Sequence, residues 1–399
     1  MSGNLREKLK VKINSFRPRD MLNFKNLPLR RDKAIEAAKD SDIITKFPIN
    51  ENAKALHPAI QDMVVRRITE RPDSDARTIL LEKADKSPAA WFRAGQYVSL
   101  KLDIGESHVT RPYSISSSPL LTKVGQIEIA VRRKKDGFAS SYLMDTLKEN
   151  DHIRISGPEG QFYHENLRDS ENVIAVAGGS GITPFLSMAQ AIRDGVEDFN
   201  LTILFGSRTE KSIMFKDELD QIQKATDKVK VIHVLSDENV SGFEHGFIDA
   251  DLISRYAPGD YSLFVCGPEA MYRFIEKEIP KLGIPAERVR LEVQGGIRPE
   301  VDEIKTFRIS VIQGPNRYEI FGRNDESILI AMERSGIIAP SRCRSGECGW
   351  CRSKIISGTF LIPEGCDKRR HMDKTTDHVH VCISYPTSDL VIEVPRGDC

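Results

Sequence analysis
The sequence predicts a multidomain protein: an antiparallel β-barrel, an α/β doubly wound unit, and a small C-terminal unit organised around cysteines. Three observations carry this. Short β-branched or alternating runs, separated by Gly, Pro, Asp and Ser, fill the chain from Asp62 to about Phe162. A continuous apolar run, Val173-Ile174-Ala175-Val176-Ala177, then opens a region where strand patterns alternate with helical ones. Finally Cys343, Cys348, Cys351 and Cys382 stand in the spacing C-x4-C-x2-C…C.

The totals bound the reading. At 399 residues the chain is long for one core, so two or three domains are expected. Lys plus Arg equals Asp plus Glu at 58 each, which gives no charge signature for nucleic acid. No apolar run reaches the length of a membrane span, and no signal-peptide core opens the chain. Seven cysteines, three of them within nine residues, make a poor disulfide framework and a good metal-ligand set in a reducing compartment. A cytoplasmic location is expected.

Taken in order, residues 1–56 form a basic N-terminal extension, with ten Lys/Arg in its first 33 positions. Two readings stand: an arm lying on the body of the protein, or a docking arm for an acidic partner or anionic surface. Residues 57–166 follow as the barrel, with strands expected at Met63–Ile68, Thr78–Leu81, Tyr97–Leu102 and Ile127–Val131, and a helix at Ser140–Lys148. Residues 167–300 form the doubly wound unit, whose further strands are Leu201–Phe205, Val229–Leu235 and Leu263–Val265. After a charged linker, residues 305–399 open on a hairpin, Phe307–Ile312 with Tyr318–Phe321, and a helix at Ser327–Arg334 leads into the cysteine loop.

Several motifs carry chemistry. Arg111-Pro112-Tyr113-Ser114 sets a cation, a ring and a hydroxyl at a strand end: a phosphate clamp beside a stacking surface, with Ser114 able to bond a flavin ring nitrogen. Arg and Tyr often decorate strand ends, so the motif gains meaning from its company. Gly137, Ser140 and Ser141 lie where a turn meets a helix start, a place that receives a pyrophosphate or merely caps the helix. Gly178-Gly179-Ser180-Gly181 follows a buried strand, and Thr183-Pro184 offers an N-cap and first-turn pair. Ser207, Arg208 and Lys211 stand one unit later, where the ribose is discriminated; cations there lean towards a 2′-phosphate and hence NADPH. Cys266-Gly267-Pro268 ends another strand, with Cys266 either a packed thiol or a neighbour of a nicotinamide.

The cysteine tetrad is the most specific signal. A zinc site would more usually show paired C-x2-C knuckles, and a Rieske centre needs a Cys/His pairing absent here, so the spacing points to a [2Fe–2S] cluster. Cys366 and Cys399 fall outside it and receive no role. Arg342, Arg344 and Arg352 flank the ligands and are expected to face an acidic electron acceptor.

These motifs, in this order, resemble the ferredoxin–NADP reductase superfamily, and the last 95 residues, with Cys382-Ile383-Ser384-Tyr385-Pro386, resemble plant-type ferredoxins. The chain is similar to fused, oxygenase-reductase-like proteins carrying flavin, nicotinamide-binding and [2Fe–2S] domains. The resemblance covers roughly residues 60–399 and implies a β-grasp fold, of the α+β class, for the C-terminal domain. It implies that Arg111 binds the flavin pyrophosphate, Tyr113 stacks on the ring and Ser114 bonds near N5. Gly137, Ser140 and Ser141 would complete an FAD phosphate site, the helix-start hydroxyls favouring FAD over FMN. Gly179, Gly181, Thr183, Gly267 and Pro268 would hold NAD(P)H, with Cys266 near its reacting carbon. Plastid-type relatives end in an aromatic residue over the flavin; here the chain continues, so the group covering that face is not given.

The implied function is transfer of electrons from NAD(P)H through FAD to the cluster, then to an external oxygenase, desaturase or other redox enzyme. The alternatives are an electron-transfer subunit of a larger complex, or a reductase of NAD(P)+ running in reverse.

Overall fold
The computed structural model describes residues 48–292, 295 and 298–396, together with residues 19, 30, 33 and 34. The chain divides into two compact units, Met1–Ala53 and Lys54–Cys399. The basic extension lies almost wholly outside the described residues, as do Gln294 and Cys399. Helix α1 (Pro48–Leu56) spans the division, and every later element belongs to the second unit.

The first sheet has six antiparallel strands in the order β4-β3-β6-β1-β2-β5. They are β1 (Gln61–Arg71), β2 (Ala76–Lys83), β3 (Tyr97–Ile104), β4 (Ser107–Ser114), β5 (Gln126–Arg132) and β6 (His152–Ile155). The sheet closes on itself just beyond β4, where Ile115 bridges to Ile129 of β5. Alternation explains the closure: Val98, Leu100, Ile79, Leu81, Ile127 and Ile129 all point into one buried core. Helix α2 (Phe138–Asp145) starts two residues before the expected Ser140 because Gly137 takes the N-cap position in extended conformation.

The second sheet is parallel throughout, in the order β10-β9-β8-β7-β11-β12. Its strands are β7 (Asn172–Gly178), β8 (Asn200–Ser207), β9 (Val229–Leu235), β10 (Glu244–His245), β11 (Ser262–Cys266) and β12 (Val289–Leu291). Helices α3 (Thr183–Arg193), α4 (Lys216–Ala225), α5 (Ala250–Tyr256) and α6 (Glu269–Glu278) alternate with them. Apolar clusters cover both faces, which is why β7 and β11 read as unbroken hydrophobic runs. Phe162, from the end of the barrel, packs on Phe185 and Phe264 at ring separations of 5.6 and 5.2 Å, joining the two domains through an apolar contact. Ser187 and Gln190 of α3 add hydrogen bonds to the Ser117 and Ser116 carbonyls just beyond β4.

The third sheet is mixed, in the order β14-β13-β19-β15-β17. It contains β13 (Thr306–Gln313), β14 (Asn316–Arg323), β15 (Arg352–Ser357), β17 (His378–His380) and β19 (Leu390–Glu393), while β16 (Phe360–Leu361) pairs separately with β18 (Tyr385–Pro386). Helix α7 (Ile328–Arg334) is capped by Ser327, whose hydroxyl accepts from the Ile330 N–H. Helix α8 (His371–Thr375) lies beyond the cysteine loop. One helix packed on a mixed sheet agrees with the α+β expectation. Among the described residues no helix is long and apolar enough to cross a membrane.

Candidate electron-transfer site
The edge strand β4 presents the first motif. In its pairing with β3, Arg111 stands opposite Leu100 and Tyr113 opposite Val98, so both lean over the rim of the barrel core. Tyr113 packs against that core, and burial pushes its phenol up to about 12. Arg111 reaches elsewhere: its Nη1 donates to Oε2 and Oε1 of Glu333 at 3.1 and 3.3 Å, and to the Thr110 carbonyl at 2.9 Å. Ser114 points to the opposite face, into a cleft shared with Tyr97 and Pro112 of the barrel, Glu292 beyond β12, and Cys343, Ser345 and Glu347 of the cysteine loop. Three domains therefore meet at Ser114. Burial, with Glu347 and Cys343 nearby, raises the Glu292 carboxyl to about 8.

The turn before α2 holds itself together. The Ser140 hydroxyl accepts from the Lys134 N–H at 3.1 Å and donates to the Gly137 carbonyl at 3.2 Å. These bonds tie Lys134 and Gly137 together rather than cap the helix, and they leave the N–H groups at the start of α2 as donors, with Ser141 half-buried one residue on.

The glycine turn after β7 is set by contact. A Cβ on Gly181 would lie 2.1 Å from the Cys266 carbonyl oxygen and 2.7 Å from the Gly267 nitrogen, so only glycine lets the turn lie against the end of β11. A short 3-10 turn, Gly179–Ile182, runs into α3. Thr183 is thus already helical rather than the expected N-cap, and its hydroxyl donates to the Ser180 carbonyl at 2.8 Å. Pro268 takes the N-cap position of α6, and the Gly267 N–H donates to the Tyr272 hydroxyl at 3.2 Å. Cys266 is 0% exposed beneath this turn, burial pushes its thiol far up, and it does not line the cleft with Ser114. It is a packed thiol here.

At the end of β8 the cationic pair is also qualified. Arg208 Nε donates to Asp237 Oδ2 at 2.9 Å, while Lys211 is exposed and the Ser207 hydroxyl is buried without a partner among the described residues. A carboxylate therefore stands beside the cation at the ribose position, which weakens the lean towards NADPH.

The cysteine loop fits a [2Fe–2S] cluster. Its thiols form two pairs, Cys343 with Cys348 and Cys351 with Cys382, the latter 3.3 Å apart, matching two thiolates for each of two irons. The Cys348 and Trp350 N–H groups point at the Cys343 and Cys348 sulfurs, each at 3.4 Å. Gly346 (φ +79°) allows the loop to close, since a Cβ there would meet Ile383 at 2.5 Å, and its carbonyl accepts from His380 Nδ1 at 2.7 Å. Cys343, Cys351 and Cys382 are buried and Cys348 is exposed. Cys366 is buried outside both pairs.

Two of the flanking arginines, Arg342 and Arg344, do not face outward as expected, while Arg352 is paired but keeps 42% of its side chain exposed. Arg342 pairs with Glu159 and lies 3.7 Å over the Trp350 ring; Arg344 bonds Glu333 at 2.6 Å; Arg352 bonds Asp373 at 2.5 Å. Other residues went unnoticed in the sequence: Glu333, Glu292, Asp237, and Arg132 at the end of β5, whose Nη1 lies 2.6 Å from where a Cβ on Gly179 would be. None carries a local motif; only the fold brings them to the site.

Family models match the chain in three stretches. An oxidoreductase FAD-binding domain matches residues 70–164, an oxidoreductase NAD-binding domain residues 175–277, and a 2Fe-2S iron-sulfur cluster binding domain residues 312–387. A component of the 1,2-phenylacetyl-CoA epoxidase of Escherichia coli is 28% identical over 321 residues, covering 76% of this chain and 88% of its own. The glycine betaine monooxygenase reductase subunit of Pseudomonas aeruginosa is 26% identical over 342 residues, covering 80% and 91%. Phthalate dioxygenase reductase has a similar fold, with a TM-score of 0.63 at 24% identity over 84% of this chain and 98% of that one. The protein is an NAD(P)H oxidoreductase that uses FAD and a [2Fe–2S] cluster to supply electrons to an external redox partner. The chain belongs to the ferredoxin–NADP reductase superfamily, as a fused reductase joining flavin, nicotinamide-binding and plant-type [2Fe–2S] domains in one polypeptide.

Proposed function
We propose that this chain is the reductase component of an oxygenase system in the cytoplasm, taking electrons from NADH in preference to NADPH. One observation carries it: the cleft where Ser114 of the flavin strand, Glu292 of the nucleotide domain and Cys343 of the cluster loop come together. Such a junction is what relay between three domains requires. The relatives named above, parts of an epoxidase and a monooxygenase, support the class of acceptor. The domains we assign are 57–166 for the flavin, 167–300 for the nucleotide and 305–399 for the cluster, preceded by residues 1–56.

FAD bound at β4 would supply the exchange between a two-electron hydride and one-electron acceptors. Tyr113 offers it a ring face and Ser114 a hydroxyl. Arg111, with the Ser140 N–H and the Ser141 hydroxyl behind Gly137, holds its phosphates. Gly179, Gly181 and Thr183 leave backbone room for the nicotinamide dinucleotide at the start of α3, Arg132 supplies a cation over that turn, and Gly267 and Pro268 shape its far wall. Asp237 receives a ribose hydroxyl, which favours NADH over NADPH. Cys343, Cys348, Cys351 and Cys382 hold the cluster.

The exit is at Cys348. Beside it the segment Cys366–Lys374 packs on the loop, with the Cys366 carbonyl 3.4 Å from a Cβ position on Gly346 and Asp373 bonded to Arg352. Lys368, Arg370, His371 and Met372 on that segment are exposed, as are Trp350 and Glu347 of the loop, and the cations of the segment offer a docking surface for an acidic acceptor. The test is reconstitution. Purified protein with FAD and cluster, mixed with NADH, oxygen and terminal oxygenases from the same organism, should support product formation by one of them. Reduction of cytochrome c without any oxygenase turnover would sink the oxygenase assignment while leaving the reductase intact.

A further inference from the structure
Three charges from distant parts of the chain meet in a buried joint. Glu333, on α7, has a side chain only 4% exposed. It receives Nη1 of Arg111 at 3.1 Å and Nη1 of Arg344 at 2.6 Å. The backbone of Thr110 closes the group: its N–H donates to Glu333 Oε1 at 3.4 Å and its carbonyl accepts from Arg344 at 3.3 Å. Arg111 belongs to the flavin strand, while Arg344 follows the ligand Cys343 directly. Arg344 is held at φ +58°, a left-handed conformation that a non-glycine residue keeps only where its surroundings impose it. The carboxylate is the acid its side chain meets there. Without it, two guanidinium groups would face each other in a buried site.

We propose that Glu333 is the positioning residue for flavin-to-cluster electron transfer, seating the cluster loop on the flavin strand and so fixing the gap between Ser114 and Cys343. This rests on the assignment of the flavin to the β4 edge. Arg111 uses Nη1 for Glu333 and Thr110, and no bond of its Nε or Nη2 is found among the described residues. One guanidinium therefore serves both sides, with Glu333 on one edge and a flavin phosphate on the other. The charges then balance, two arginines against a carboxylate and a phosphate anion. Occupation of the flavin site and seating of the cluster domain reinforce each other.

Each NAD(P)H oxidised reduces two equivalents of a one-electron acceptor and releases one proton, whichever acceptor is used. Ferricyanide takes electrons from the flavin, whereas cytochrome c takes them through the cluster, so the two assays divide the relay. In E333Q and E333A, cytochrome c reduction and the stopped-flow rate of cluster reduction should fall about tenfold or more, since misplacement by ~1 Å costs up to about 100-fold. Ferricyanide reduction and the rate of flavin reduction should stay within about twofold. E333D, which keeps the charge on a shorter arm, should lie between and decides the matter if the other variants fold poorly. A second readout needs no turnover. Adding FAD to flavin-free protein should slow hydrogen exchange in β4, α7 and residues 341–346; in E333Q the slowing should be confined to β4. Parallel loss in both assays, or no loss in either, would falsify the proposal. So would weaker flavin retention with an unchanged cluster rate per bound flavin. Failure of the wild-type protein to bind flavin would instead overturn the flavin assignment beneath it.

Discussion
The glycine turn of the nucleotide domain and the charged joint at Glu333 do comparable work by opposite means. The turn is local and uncharged: residues 178–183 are consecutive, and their geometry follows from the lack of a side chain at Gly181, where any Cβ would strike the Cys266 carbonyl at 2.1 Å. The joint is assembled and ionic, with Arg111 and Glu333 separated by 222 positions in sequence. The turn, on the assignment proposed for it, shapes the place where a dinucleotide enters. The joint, on the role proposed for Glu333, sets the step from flavin to cluster. The difference teaches that entry to the relay is written in contiguous sequence, whereas its internal step depends on domains being held at a set distance.

Four variants would break or sharpen that contrast. The largest effect is expected at the turn: G181A should lower ferricyanide and cytochrome c reduction together by ~100-fold, because the dinucleotide site is displaced before either assay divides. It should also lower stability by about 1–3 kcal/mol in urea unfolding, as overpacking against backbone does. Next comes the joint, approached from its other arm. R344Q should slow cytochrome c reduction by about tenfold while ferricyanide reduction holds, at a stability loss of about 1.5–3 kcal/mol for a charge-assisted bond. If R344Q and G181A gave the same assay pattern, the division into local entry and assembled transfer would be wrong.

A smaller effect is expected at the ribose position. D237A frees Arg208, which is 81% exposed, and should raise kcat/KM for NADPH relative to NADH by about tenfold, or ~1.4 kcal/mol. An unchanged ratio would remove Asp237 from cofactor choice. The smallest effect belongs to the exit face. The pair K368E and R370E should slow reduction of an acidic acceptor by about 3- to 10-fold in low salt and flatten its dependence on ionic strength, without changing ferricyanide reduction. Salt dependence retained in that double variant would move the docking surface elsewhere.

How much was legible in the sequence varies with the distance over which each feature is encoded. Apolar runs and alternation gave the parallel sheet and the barrel, because strand burial on one or both faces is a nearest-neighbour pattern. Edges were less certain: Gly137 and the 3-10 turn before Thr183 shifted helix starts by changing which residue leaves the extended conformation. Arg342, Arg344 and Arg352 looked like a docking face since a list of charges does not say which are matched. Folding matches each with Glu159, Glu333 or Asp373, and the exposed basic surface moves to Lys368, Arg370 and His371. Cys266 was readable from its place at a strand end as a packed thiol or a neighbour of the nicotinamide, and folding leaves it with no exposed surface.

The sequence by itself determined the class of chemistry: four cysteines at the spacing of a [2Fe–2S] cluster, with the Arg111–Ser114 motif and the glycine turn as candidates for the flavin and the dinucleotide. Each is a short-range arrangement, and for the cysteines residue type and spacing suffice, while the other two gain their meaning from standing together in this order. Only the tertiary structure decided the wiring. It turned Cys343 towards Ser114 and left Cys348 at the surface, gave the cluster loop its seat on Glu333, and put Asp237 beside Arg208. The physical reason is that electron transfer and ion pairing depend on distance and burial, and both arise between elements that the chain keeps far apart.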